Sequence, residues 1–315
     1  MENEELVNQK IREAKVITIW GHTLPDGDCY GSQIGLREML RLNYPEKEVY
    51  AIGSGMPVLE ERLAKMDVVS DEVIASSLAI LVDVSCLRRV EDQRVQKAKD
   101  WIKFDHHIFN NGEYFPYPGI VDPERVSAAE LIVEWGIRQG YRLNRLAAEA
   151  FYLGIATDSG NFMFHGVCSK TFATASKLFE YEVSPYSLLS PILTLSVESI
   201  RFRAFLIDKA RTVGNVCYVY LSCEDYKSRD ISFAEASSMV NILAAYKSPI
   251  YCLFTEDEKG YIRGEIRSEH NYAVQPVAKA FGGGGHLFAA GLTLKVGEGP
   301  MVEDVVAALN KIQKL

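Results

Sequence analysis

In Lys103-Phe104-Asp105-His106-His107, led into by the apolar pair Trp101-Ile102, three adjacent side chains can bind metals or move protons. Acidic groups recur at comparable places elsewhere: Asp26 and Asp28 behind His22, then Asp83, then Asp158. Imidazole and carboxylate at the end of a strand suit a cleft at the carboxyl edge of a sheet, where open α/β sheets bind ligands. Mixed His and carboxylate ligation favours Mn2+, Fe2+, Co2+ or Zn2+ over Mg2+ or Ca2+, which prefer all-oxygen shells. The expectation is that the four segments converge on one two-metal hydrolytic centre.

Each piece alone has a plainer reading. His22-x3-Asp26-x-Asp28 fails as an EF-hand, because Tyr30 stands at the third ligand position and Arg37 at the twelfth. A polar turn with solvated carboxylates remains open. Two histidines at a strand end can be satisfied by carbonyls, and Asp158-Ser159-Gly160 can be an Asx-turn. The run Phe281-Gly282-Gly283-Gly284-Gly285-His286 lacks a P-loop's Gly-Lys-Ser/Thr ending, and Leu287 replaces the last glycine of G-x-G-x-x-G. The bare amides of Gly283, Gly284 and Gly285 can still cradle a phosphate, with His286, Arg267 and Ser268 adding charge and hydrogen bonds. A flexible turn is the alternative. His165 and His270 read as structural or surface residues, and the aromatics of 111–118 (Tyr114, Phe115, Tyr117) as loop packing. The six cysteines show no metal-binding spacing and read as free thiols, with Cys29 notable for its place beside Asp28.

The positioning elements follow from periodicity. Residues 2–14 read as a polar helix and 15–20 as a buried β-branched strand that stops at the turn-rich loop 21–28. A helix is expected from about 31 to 42, and strands over 49–52, 79–84 and 101–104. An unpaired aspartate within a strand is costly, so Asp83 is expected at its strand's exit facing a cation. Helices are expected over 127–139 and 145–155, the second ending in a turn at Thr157-Asp158. This alternation argues for a doubly wound, mainly parallel sheet. Two prolines and five serines between Ser184 and Ser199 mark a linker. The expected division is a catalytic domain over 1–184, a linker over 185–200 and a smaller α/β domain over 201–315, with the active-site cleft between the domains. In the second domain, strands are expected at 216–221, 250–254, 262–267 and 292–294, and helices at 233–246 and 302–312.

The bulk numbers bound the function. The net charge of −8 lies wholly in residues 1–185, since 186–315 carry 14 Lys+Arg and 14 Asp+Glu. That is a poor match for long nucleic acid, whose binding needs many phosphate contacts. A short phosphorylated ligand remains compatible, because divalent metals reverse the local sign. No window resembles a membrane span, and the charged N-terminus lacks a signal-peptide core, so a cytoplasmic protein is expected.

Taken together, HTLPDGDCYGS, LVDVS, FDHH, GIATDSGNF, IRS and FGGGGHLFAAG resemble the DHH phosphoesterase family, and within it the nanoRNase-type members with a DHH-associated C-terminal domain. The motifs occur in family order over nearly the whole chain. Inorganic pyrophosphatases of the superfamily share the first four but not the last. The resemblance implies a dimanganese centre: one Mn2+ on His22, Asp26 and Asp83, the other on Asp28, Asp83, His106 and Asp158, with Asp83 bridging. It further implies that Asp105 orients His106, and that His107 faces the scissile phosphate as electrostatic partner or leaving-group acid. Arg267, Ser268, Gly284 and His286 would grip the substrate's far end, a ruler favouring short substrates. Very short RNA, linear dinucleotides and 3′-phosphoadenosine 5′-phosphate are the implied substrates, and a homodimer is compatible. Relatives often carry Ser-Ser before a helical Glu; here Val126-Ser127-Ala128-Ala129-Glu130 lacks one hydroxyl, which bears on substrate preference. Competing readings are a cyclic-dinucleotide phosphodiesterase and a non-catalytic nucleotide-binding regulator. The regulator's expected signature is a lost ligand, and no ligand position is lost.

Overall fold

In the computed structural model, Leu78–Val82 is a strand buried at every position, as a continuous apolar run between two helical layers should be. The structure describes residues 2–107, 117–164, 166–269 and 271–315. His165, His270 and the aromatics of 111–116 lie outside them; Tyr117 packs on Trp101 with ring centroids 4.7 Å apart. The chain divides into two units, Met1–Leu193 and Thr194–Leu315.

The first unit contains β1 (Val16–Trp20), β2 (Glu48–Ile52), β3 (Leu78–Val82), β4 (Asp100–Asp105) and β5 (Gly119–Val121). The strands are parallel throughout, in the order β2-β1-β3-β4-β5. Side chains alternate between two cores, as strand period requires. Ile17, Ile19, Ile80 and Val82 face one, with Ile34, Ile132 and Phe151. Trp20, Ala79 and Leu81 face the other, with Ile74, Val90 and Val95. The expected doubly wound parallel sheet is therefore present, and β5 is a strand that periodicity did not reveal.

The helices of this unit are α1 (Glu2–Glu13), α2 (Gly27–Asn43), α3 (Asp71–Ser76), α4 (Ala128–Arg138), α5 (Arg145–Asp158), α6 (Ser169–Phe179) and α7 (Pro185–Leu193). Two boundaries differ from expectation. α2 begins at Gly27 rather than near Gly31, because the Asp26 carboxylate caps it by accepting from the amides of Asp28 and Cys29. Glycine propensity argued against that first turn, but the glycines serve close approach. A Cβ at Gly31 would lie 2.3 Å from the Ala150 carbonyl oxygen, and one at Gly27 would lie 2.4 Å from Thr157 Oγ1. α5 likewise continues past Ile155 through Asp158. The glycine face of α2 thus lets two ligand-bearing helix ends come together.

In the second unit α8 (Val197–Lys209) leads into β6 (Arg211–Val213), β7 (Val216–Leu221), α9 (Cys223–Lys227) and α10 (Phe233–Ser238). Then come β8 (Ile250–Glu256), β9 (Tyr261–Ser268), α11 (Gln275–Ala280), β10 (Gly284–His286), β11 (Ala289–Lys295) and α12 (Val302–Leu309). The sheet is mixed, ordered β10-β11-β9-β8-β7-β6, with β7 and β8 parallel. The segment read as a linker contains α7 and the first residues of α8. The helix expected over 233–246 stops at Ser238 and continues as a 3-10 turn, Met239–Ala245. Ser237 and Ser238 donate their hydroxyls back to the carbonyls of Ala234 and Glu235, a local competition that weakens helices.

Candidate active site

The chain runs from β1 outward to β2 and returns to place β3 on the other side of β1. The carboxyl ends of β1 and β3 therefore border the point where strand order reverses, the usual ligand crevice of an open α/β sheet. His22 follows β1, Asp83 follows β3, and His106 and His107 follow β4. Asp83 leaves its strand at φ +52, a left-handed conformation costly for a non-glycine residue and typical of functional sites. Its amide is held by the Phe104 carbonyl at 3.0 Å.

All six residues read as ligands meet here. His22 Nε2 lies 3.3 Å from Asp83 Oδ2 and 3.8 Å from Asp26 Oδ2. His106 Nε2 lies 3.3 Å from Asp158 Oδ2, 3.4 Å from Asp83 Oδ1 and 3.9 Å from Asp28 Oδ2. Asp83 thus stands between the two imidazoles. Its Oδ1 is buried without a hydrogen-bond partner among the described residues. An orphaned buried acceptor is costly, and separations just beyond hydrogen-bond length suit groups sharing a cation at about 2.1 Å each. His22–Cys29–Asp83, Asp83–His106–His107 and Asp28–His106–Asp158 each bring possible ligand atoms within 4.8 Å. The donor set fits divalent metal.

Electrostatics agree. Burial, the Asp83 charge and the other nearby carboxylates push Asp28 up to about 8 and Asp158 well above the usual carboxylate range. Burial opposes charging of the histidines, but the neighbouring carboxylates prevail. The adjacent Asp26 and Asp83 carboxylates raise His22 far above its ordinary value, and Asp83 with Asp28 and Asp158 carries His106 to about 10. For metal-free protein the signs coincide. Folded Asp28 keeps a proton that the unfolded chain loses near pH 4, and folded His106 keeps one that the unfolded chain loses near 6.5, so this cluster's contribution to stability falls from about pH 4 to 10. A cation displaces those protons, so its binding strengthens as pH rises. The Mn2+-induced rise in Tm is therefore expected to grow between pH 5.5 and 8 in paired scans with and without chelator; a constant rise would contradict it.

The surrounding residues correct two expectations. Asp105 does not orient His106: its Oδ1 accepts from His107 Nδ1 at 2.7 Å and from the His107 amide at 3.2 Å. His106 Nδ1 instead faces the Arg125 carbonyl at 3.3 Å. The hydroxyl missing at Ala128-Ala129 does not bear on substrate, because both side chains are fully buried. Their amides hold Asp28 at 2.7 and 2.9 Å, while Ser127 caps α4. Cys29 is buried, with its thiol pushed up to about 12 by desolvation, and its Sγ accepts the His22 amide at 3.3 Å.

Sequence reading gave no role to Lys103. Its Nζ lies 3.0 Å from Asp105 Oδ2, both side chains being 1% exposed. Although burial opposes ionisation, His107 and Lys103 hold Asp105 below the usual carboxylate range. The available signal was period: Lys103 and Asp105 are two apart in one strand and share a face. Lys103→Met is expected to destabilise the protein by about 3–5 kcal/mol, the typical cost of breaking a buried ion pair. Denaturant unfolding in chelator measures it, and a loss under about 0.5 kcal/mol would refute the pair's role.

In the second unit, Arg267 and Ser268 end β9 beside β11. Arg267 Nη1 donates to the Ile266 carbonyl at 3.0 Å and lies 3.3 Å from Glu265 Oε2. Ser268 donates its hydroxyl to the Tyr272 carbonyl at 2.6 Å. The glycine run is an ordered strand edge, with Gly284, Gly285 and His286 paired to Gly291, Ala290 and Ala289. A Cβ at Gly283 would lie 2.1 Å from the Gly291 carbonyl oxygen, whereas one at Gly284 would meet open space. His286 is exposed.

Comparison with known proteins accounts for this arrangement. The DHH family, N-terminal domain, matches residues 16–155, and the DHHA1 domain matches 214–315. The chain is 32% identical over 284 residues to the probable bifunctional oligoribonuclease and PAP phosphatase NrnA of Streptococcus mutans, covering 90% of each chain. It is 31% identical over 284 residues to the bifunctional oligoribonuclease and PAP phosphatase NrnA of Bacillus subtilis, covering 88% of this chain and 89% of that one. Its fold matches the crystal structure of an exopolyphosphatase-related protein from Bacteroides fragilis with TM-score 0.85 at 23% identity, over 98% and 96% of the two chains. The Asp-His-His at the end of β4, the carboxylates around it and these likenesses agree: the chain belongs to the DHH family of phosphoesterases, in its nanoRNase-type branch with a DHHA1 domain, and is a phosphoester hydrolase.

Proposed function

We propose that this protein is a Mn2+-dependent phosphodiesterase that hydrolyses very short oligoribonucleotides or linear dinucleotides to mononucleotides, with 3′-phosphoadenosine 5′-phosphate phosphatase as a second activity. The observation that carries the reading is the Asp83 carboxylate between the His22 and His106 imidazoles, with its Oδ1 orphaned among the described residues. The printed activities of the two NrnA relatives support the substrate class. His22, Asp26 and Asp83 would hold one cation, and Asp28, Asp83, His106 and Asp158 the other. Two such cations, when bound, acidify a water and stabilise the entering and leaving oxygens of an in-line displacement at phosphorus.

The chain's own groups supply the rest. The amides at the start of α4 fix the Asp28 carboxylate, and the Arg125 carbonyl aims His106. His107, its Nδ1–H given to Asp105, presents Nε2 as the nitrogen that can hold a proton for the leaving oxygen. Arg267, Ser268, the amides of Gly283, Gly284 and Gly285, and His286 form the substrate grip of the second unit. Gly284, whose missing side chain no packing demands, gives backbone amides room to meet a phosphate. The unit's lack of net charge suits short substrates over long strands, which gain from a basic track.

The test compares initial rates on a linear dinucleotide, the matching cyclic dinucleotide and 3′-phosphoadenosine 5′-phosphate, with Mn2+ or chelator. Fastest Mn2+-dependent turnover of the linear dinucleotide is expected. A faster rate on the cyclic compound would move the assignment to a cyclic-dinucleotide phosphodiesterase.

A further inference from the structure

Directly behind Asp158 the backbone is strained to carry an aromatic loop. Gly160, Asn161 and Phe162 adopt positive φ in succession, at 57°, 57° and 66°. Asparagine tolerates this region; phenylalanine does not. The conformation is held by fully buried Ser159, whose carbonyl accepts the amides of Met163 and Phe164 at 2.9 and 2.8 Å and whose Oγ accepts the Phe162 amide at 2.9 Å. The Phe162 ring braces the loop, stacked on Phe172 at 5.3 Å and packed against Tyr152 at 6.1 Å.

This scaffold presents apolar side chains to solvent. Met163 is 78% and Phe164 52% exposed. The Phe164 ring lies over Gly160, where an added Cβ would come within 2.6 Å of its Cε1. Gly160 is two residues from Asp158, whose carboxylate faces His106. An ordinary turn would use polar residues here, and a packing role would bury the ring. An exposed aromatic on a strained, over-determined backbone is the pattern of a binding site. Continuity with the phosphoester-cleaving centre decides the occupant, since a phosphodiester held there carries a nucleobase one sugar away. Bases stack on aromatic faces whatever their sequence.

We propose that Phe164, with Met163 beside it, is a stacking platform for a nucleobase next to the scissile phosphate, and thereby a specificity residue for nucleotide substrates over base-free phosphodiesters. The inference deepens the phosphodiesterase reading above and rests on it. The test uses the Mn2+-loaded full chain with a linear diadenylate and its analogue lacking both bases, measuring kcat and KM for each. Wild type is expected to prefer the base-bearing substrate. Phe164→Ala should cut that preference by about tenfold or more, mostly through KM, the scale of one lost stack. Phe164→Tyr should retain it. An unchanged preference in Phe164→Ala, or equal loss on both substrates, would overturn the platform while leaving the phosphodiesterase reading intact. Failure of wild type to cleave either compound would instead overturn that reading, and the platform with it.

Discussion

Asp83→Ala is expected to abolish turnover. Asp83 approaches both imidazoles, His22 at 3.3 Å and His106 at 3.4 Å, so the substitution strips a ligand from both proposed cation sites. Loss of an outer partner of a metal typically costs about 10–100-fold; loss of a shared direct ligand should exceed that, to on the order of 10³-fold or more. The fold should survive. In metal-free protein the carboxylate raises its neighbours Asp28 and Asp158 but also pairs with His22 and His106, so its removal sets relieved like-charge repulsion against lost pairing. Calorimetric scans should therefore show a chelator-state Tm near wild type and a lost Mn2+-induced rise. Retained activity, or an intact Mn2+ response, would contradict the shared-ligand assignment.

His107→Ala separates chemistry from metal binding. An ionised Asp105 beside buried Lys103 must accept the His107 Nδ1 proton, which fixes the ring and leaves Nε2 for substrate. If that nitrogen serves the leaving oxygen, kcat on a dinucleotide should fall by about 10²–10⁴-fold, the usual worth of a positioned acid. KM and the Mn2+-induced Tm rise should change little. A kcat within about threefold of wild type would leave His107 without a chemical role; a lost Mn2+ response would make it a ligand instead.

Much of this was legible in the residues themselves. Buried β-branched and aliphatic runs located β1 to β4, and the cost of a charge inside an apolar strand put Asp83 at an exit. Such arguments work because burial imposes its pattern locally. What stayed hidden depends on contacts between distant segments. Gly27 in a turn-rich loop argues against a helix start until α5 is seen to need its missing side chain. Adjacency in Asp105-His106-His107 cannot say which imidazole the carboxylate serves; the turn after β4 decides it, and it decided against His106. Lys103 looked like an ordinary charge in a strand, because its partner two residues on was already assigned elsewhere. The glycine run proved to be a strand edge, with Gly283 required by a carbonyl 2.1 Å from where a Cβ would stand.

The most direct test of the central claim is a timed digest of a 5′-labelled RNA ladder, from dimers to strands of about two dozen nucleotides, with Mn2+ or chelator. The account predicts rapid Mn2+-dependent loss of the shortest species while long RNA persists, as the second unit's lack of net charge implies. Equal attack at all lengths, or cleavage undiminished by chelator, would contradict it.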